Sequence, residues 1–123
     1  MKKYSLYIQS IFYIVAGLNH FLDPGFYLPL IPPYLPAHDM INLAAGVVEI
    51  IFGVGLTMPA LRKYAAIGII IMLLTFVPVH VYFIQVNSCI DGGLCVPQWV
   101  GLVRLIVVHP LLIFWAWSVR DIG

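Results

Sequence analysis

Residues 40–58 read MINLAAGVVEIIFGVGLTM, a run with one ionisable side chain, Glu49, near its middle. A helix that is apolar on nearly every side is buried in a large core or crosses a membrane. The rest of the chain decides between the two. Of 123 residues, 63% are hydrophobic and 9% are charged, whereas an ordinary soluble domain is about half apolar and about a quarter charged. Three further apolar runs, 4–22, 64–86 and 99–117, resemble 40–58 in length. Each is close to the ~20 residues that a helix needs to cross a bilayer. The predicted fold is an all-α membrane protein: one domain, residues 1–123, folded as an antiparallel bundle of four transmembrane helices with the lipid bilayer as its solvent.

The charges set an orientation. Lys2 and Lys3 precede the first run, Arg62 and Lys63 lie between the second and third, and Arg120 follows the fourth. The connections 23–39 and 87–98 contain no Lys or Arg. Cations favour the cytoplasmic side, so both termini are expected there, with the two cation-free connections outside. Met1-Lys2-Lys3 resembles the start of a signal peptide. The following run is long, however, ends in Asn19-His20-Phe21 and shows no small-residue cleavage site, so it is expected to remain as a span.

The polar residues fall on stripes. Asn42, Gly46, Glu49 and Gly53 share one face of the second helix. Ser10, Tyr13, Gly17 and His20 do so in the first, Ala65, Gly68, Met72 and Thr75 in the third, and Gly101, Arg104 and Val108 in the fourth. Small residues let helices approach closely where lipid supplies no hydrophobic drive, so these faces are expected to point inward. The first outer connection, 23–36, opens on Asp23-Pro24, a cap and first-turn pair. Its later prolines prevent a long helix, and its greasy residues suggest a lid lying on the bundle. Trp99, Trp115 and Trp117 stand at the ends of the fourth span, where aromatic belts form.

Ionisable groups inside a span are costly and usually face a partner or a cavity. Glu49 lies near mid-membrane, with Arg104, His80 and His20 towards the outer side. The long arm of Arg104 makes it the expected partner of Glu49. Two readings compete: a structural latch satisfying two charges, or a pocket in which Arg104 binds a polar head and Glu49 or a histidine handles protons. The presence of His20 and His80 favours the pocket. His109 follows Arg104 by five residues, about 140° around an ideal helix, so it is read as a packed, satisfied residue unless Pro110 bends the chain. Two histidines at ligand spacing on one helix are missing, as is a haem-attachment motif, so no metal is expected. Nor does any phosphate loop, nucleophile–base arrangement or nucleic-acid surface occur.

Cys89 and Cys95 flank Ile90-Asp91-Gly92-Gly93-Leu94. The expected compartment is oxidising and Asp91-Gly92-Gly93 is a turn signal, so a structural disulfide is the first reading and a redox-active pair the second.

These residues together resemble the DoxX-like superfamily of small bacterial inner-membrane proteins. The resemblance runs through Gly17-Leu18-Asn19-His20-Phe21, Asp23-Pro24, Phe26-Tyr27 and Ile31-Pro32-Pro33-Tyr34-Leu35-Pro36. It continues in Gly46-Val47-Val48-Glu49-Ile50, Gly53, Arg62, Pro78-Val79-His80-Val81-Tyr82 and Leu102-Val103-Arg104-Leu105. Many relatives carry a proline soon after the arginine of the fourth helix, where this chain has Ile106, and the cysteine pair is an addition to the core pattern. The resemblance implies a four-helix bundle in the bacterial inner membrane. Some members are linked with thiosulfate:quinone oxidoreduction, others with membrane oxidoreductase complexes, and a distant animal branch with receptor assembly.

Two functions follow. In one, the chain is a quinone-linked redox subunit: Glu49, Arg104, His80 and His20 form the polar end of a pocket, Tyr13, Phe76 and Tyr82 surround a ring, quinone is the candidate cofactor, and a membrane or periplasmic redox protein is the candidate partner. In the other, it is a non-catalytic assembly factor or scaffold whose buried charges are structural. Small-solute transport ranks third, since four spans make a thin pathway without homo-oligomerisation.

Overall fold

The computed structural model describes residues 2–91 and 93–122. Met1, Gly92, Gly123 and the Lys2 side chain lie outside the described residues, and with them the Lys2 charge and the middle of the expected 91–93 turn. The long elements are α1 (Lys2–Leu22), α3 (His38–Thr57), α4 (Arg62–Thr75) continued by α5 (Val77–Gln85), and α6 (Gln98–Val103) continued by a π-turn (Arg104–Val108) and α7 (His109–Val119). A short α2 (Pro24–Tyr27) and a 3-10 turn (Leu28–Leu30) lie between α1 and α3. Four helical stretches are long and apolar enough to cross a membrane: Lys3–Leu22, His38–Thr57, Arg62–Gln85 and Gln98–Val119. Their outward faces carry large apolar side chains such as Ile11, Ile51, Ile71, Ile106 and Phe114, far more than a water-facing surface tolerates in one continuous band.

α1 packs most extensively on α3, and its glycines explain why. A Cβ built on Gly17 would stand 2.6 Å from the Gly46 carbonyl oxygen, and one on Gly46 would stand 2.9 Å from the Cβ of His20. Only bare backbone permits this approach. Lower on the same seam, the Ser10 hydroxyl donates to the Gly53 carbonyl at 2.6 Å. The core at that end comprises Leu6, Leu56, Ala65, Ala66, Ile69, Ala116 and Val119. There Arg62 is buried. Its Nε donates to the Leu56 carbonyl at 2.7 Å and its Nη1 to the Ile122 carbonyl. One of the flanking cations is therefore committed to closing the C-terminal end of α3. Trp115 turns inward to donate to the Ser5 hydroxyl at 2.7 Å, while Trp99 and Trp117 are exposed.

Two departures from regular helix shape the other end. The third apolar run breaks at Phe76, two residues before Pro78. Proline has no N–H for the Leu74 carbonyl and crowds the preceding turn. The Phe76 N–H accordingly straddles Met72 and Leu73 oxygens at 3.0 and 3.2 Å. In the fourth run, the His109 N–H bonds to the Arg104 carbonyl, a five-residue closure that inserts one extra residue into the turn. Thr75 and Val108, expected on inward stripes, are exposed, yet each lines a space inside the bundle.

The 23–37 connection folds back over this end. Asp23 precedes α2, but its side chain makes no capping bond; the Phe26 N–H bonds to the Asp23 backbone oxygen instead. The connection's own Leu30, Ile31 and Pro32 are buried. Cys89 and Cys95 are joined by a disulfide at the neighbouring connection, and a Cβ on Gly93 would lie 3.4 Å from that of Pro29, so the two connections touch.

Candidate functional site

The close α1–α3 approach carries His20 against α3, where it meets two side chains of the Asn42/Gly46/Glu49/Gly53 face. His20 Nδ1 lies 2.7 Å from Asn42 Oδ1, and Asn42 Nδ2 donates to the His20 carbonyl at 2.9 Å. The second bond fixes which end of the amide is oxygen, so the first requires a proton on Nδ1. A neutral His20 then has its lone pair on Nε2, which faces Glu49 Oε2 at 3.4 Å. Glu49 Oε2 is buried and has no hydrogen-bond partner, so the imidazole is the basic group that faces it. The ring is stacked on Tyr27, with centroids 3.8 Å apart, and Asn19 Nδ2 donates to the Tyr27 hydroxyl at 2.8 Å. Glu49, His20 and Asn42 are all buried.

The expected partnership of Glu49 with Arg104 is corrected here. Among the described residues, Glu49 forms its ion pair with His20, and Arg104 forms none with it. The cause is the glycine seam, which brings α1 within reach of α3, while Arg104 stands at the start of the π-turn. The Arg104 guanidinium lies 5.2 Å from the centre of the Phe83 ring, and its Nη1 is buried without a hydrogen-bond partner. A buried charged donor left unpaired costs more than an ordinary lost hydrogen bond, so this atom marks where an acceptor belongs.

His80 and His109 meet with ring centroids 4.7 Å apart in an edge-on arrangement. The ideal-helix separation of Arg104 and His109 does not hold, and the cause is not a bend at Pro110. Five residues close one π-turn, so His109 comes back to the side of Arg104. The helix break at Phe76 supplies its anchor: His109 Nε2 donates to the Leu73 carbonyl at 2.5 Å.

A cavity of ≈ 350 Å³ lies among these groups, lined by His20, Glu49, His80 and Arg104, with Tyr27 and Leu30 of the lid. A second space of ≈ 250 Å³ shares the same four polar residues and extends to Tyr13 and His109. All four residues expected at the polar end thus face one cavity. Its volume falls within the ~300–1,000 Å³ of small-molecule pockets. Its walls are apolar except at the polar end, with Phe76, Val79 and Ile41 among them. Of the ring-surrounding aromatics expected, Phe76 and Tyr13 line the cavities, and Tyr82 is absent from both linings. Among the described residues no cluster of His, Cys, Asp or Glu is arranged to hold a metal ion.

Asn19 and Tyr27 entered the sequence reading only as parts of the family pattern, with no role of their own, and Gln9, which lines neither cavity, was not singled out. Tyr27 and Asn19 are ordinary loop and helix-end residues until the lid folds back over His20. Gln9, fully buried with both amide atoms unpaired, sits one residue outside the Ser10 stripe. The spacing of Gln9 to Tyr13 is itself helical, and that was the available signal.

Comparison with curated proteins and with solved structures finds no match in either. A family model described as Domain of unknown function (DUF8561) matches residues 9–120, a span that includes His20, Glu49, His80, Arg104 and both cysteines. The chain therefore belongs to the DUF8561 family.

Proposed function

We propose that the chain is a multi-pass protein of the bacterial inner membrane, an antiparallel bundle with both termini cytoplasmic, and a quinone-linked redox subunit of DoxX-like type. The observation that carries this reading is the unpaired Arg104 Nη1 in a cavity that also holds the His20–Glu49 pair. A quinone carbonyl is an uncharged acceptor that suits a guanidinium donor. Reduction to the quinol takes two electrons and two protons. The two protons pass one after the other through the His20–Glu49 pair from the outer aqueous face, and the electrons come from a membrane or periplasmic redox partner. The apolar walls suit a ring and exclude water, which strengthens each polar contact inside. The orientation rests on Lys3, Arg62, Lys63 and Arg120 at the end away from the lid.

The scaffold reading has one observation of its own. The His20–Asn42–Glu49 network ties α1 to α3 and satisfies most of its members, as a purely structural latch would. It leaves Arg104 unexplained. Solvent extraction of protein purified in mild detergent separates the two: a bound quinone is expected in wild type and lost in Arg104→Met. Quinone-free wild-type protein from a quinone-replete membrane overturns the redox reading and favours the scaffold.

A further inference from the structure

The polar-ended cavity is not the only space beside α3. An apolar groove of ≈ 420 Å³ runs between α3 and α4. Ile41, Ala45, Thr75 and Phe76 line both the groove and the ≈ 350 Å³ cavity. The two spaces therefore meet at these four residues. Within the groove, Ala44 and Ile71 are exposed, so its outer side opens to the surroundings of the bundle.

Local structure accounts for the opening. The third span breaks at Phe76, where its ladder is disrupted ahead of Pro78. Opposite, α3 presents Ala44 and Ala45, whose side chains are too short to fill the gap.

The geometry points to a lateral portal: the ligand is an amphiphile whose polar ring sits beside Arg104 and whose apolar tail leaves through the α3–α4 groove into lipid. This rests on the reading of the cavity as a quinone-head site and adds the class of molecule, a ring carrying a long apolar chain that enters sideways from the membrane. The tail gains little by lying in the groove, because lipid is as apolar as the groove wall. Its requirement is steric. A tailed ring seats only if the tail has an exit, whereas a tail-less ring needs none.

The test uses two probes, a tail-less benzoquinone and the same ring bearing an isoprenoid chain, bound to full-length protein in detergent. Ala44→Trp fills the groove from an exposed position outside the cavity lining; Val54→Trp, exposed on the same helix away from both spaces, is the control. Ala44→Trp should weaken the tailed ring at least tenfold and change the tail-less ring less than twofold. Val54→Trp should change neither. Equal effects of Ala44→Trp on both rings, or none on either, overturn the portal and leave the cavity reading standing. Wild-type protein that binds neither ring instead removes the cavity reading, and the portal with it. Unchanged thermal melting of Ala44→Trp confirms that the comparison is made on folded protein.

Discussion

A single amide decides how the buried acid behaves. Asn42 donates from its nitrogen to the His20 carbonyl and accepts at its oxygen from His20 Nδ1, which leaves Nε2 turned to Glu49. Removing one member of a buried pair strands the other, at a cost of about 3–5 kcal/mol, whereas replacing both often costs little. A double-mutant cycle on thermal or denaturant unfolding should therefore find Glu49→Leu coupled to His20→Phe by about 0.5–3 kcal/mol. Glu49→Leu and Arg104→Met, which share a cavity but no ion pair, should couple more weakly than that. The reverse pattern would restore Arg104 as the partner of Glu49. At this scale the sequence marked four residues that line one cavity and paired two of them wrongly. Stripes of polar and small residues show which face turns inward, but reach alone does not rank two inward-facing partners. The ranking came from the Gly17–Gly46 contact, which depends on how closely two backbones pack.

Elements carry the next layer of information. The π-turn closes five residues where an α-turn closes about 3.6, and one surplus residue in 104–108 is what brings His109 back beside Arg104. Deleting Ile106, an exposed residue of that turn, converts it to α-helix and leaves Arg104 and His109 four positions apart, still on one face. The deletion should fold, with melting within a few degrees of wild type. Deleting Leu111, equally exposed but within regular α7, rotates everything after it by about 100° and should abolish stable expression. Equal damage from both deletions would mean that the turn is not a discrete insertion. Neither the π-turn nor the break at Phe76 was read in advance. Pro78 offered a signal for the break, since a proline removes a donor wherever it stands in a helix. The π-turn has no such marker: 102–108 is uniformly apolar apart from Arg104, and a one-residue surplus leaves no trace in an apolar run.

For the whole molecule, the apolar runs made legible the four helices that are long and apolar enough to cross a membrane, because bilayer thickness sets the length such a helix needs. Their ends fall within a few residues of the expected boundaries. The orientation is a separate matter of charge. With Lys3, Lys63 and Arg120 at one end and the disulfide connection at the other, an impermeant maleimide applied to reduced, intact cells should label Cys89 and Cys95. Labelling only after permeabilisation would invert the topology. The cavity was the least legible feature, since it is a property of the space left between helices, and no residue pattern states its volume.

The central claim is that Arg104 presents an unpaired donor to a ligand beside the His20–Glu49 pair. Equilibrium dialysis of a tail-less benzoquinone against wild type and Arg104→Met tests it most directly. Wild type should bind, and Arg104→Met should bind at least tenfold more weakly, a loss of about 1.4 kcal/mol, while melting at or above the wild-type temperature because an uncompensated buried charge is gone. Equal affinity in the two proteins, or a Arg104→Met variant that no longer folds, would contradict it and make Arg104 a structural residue.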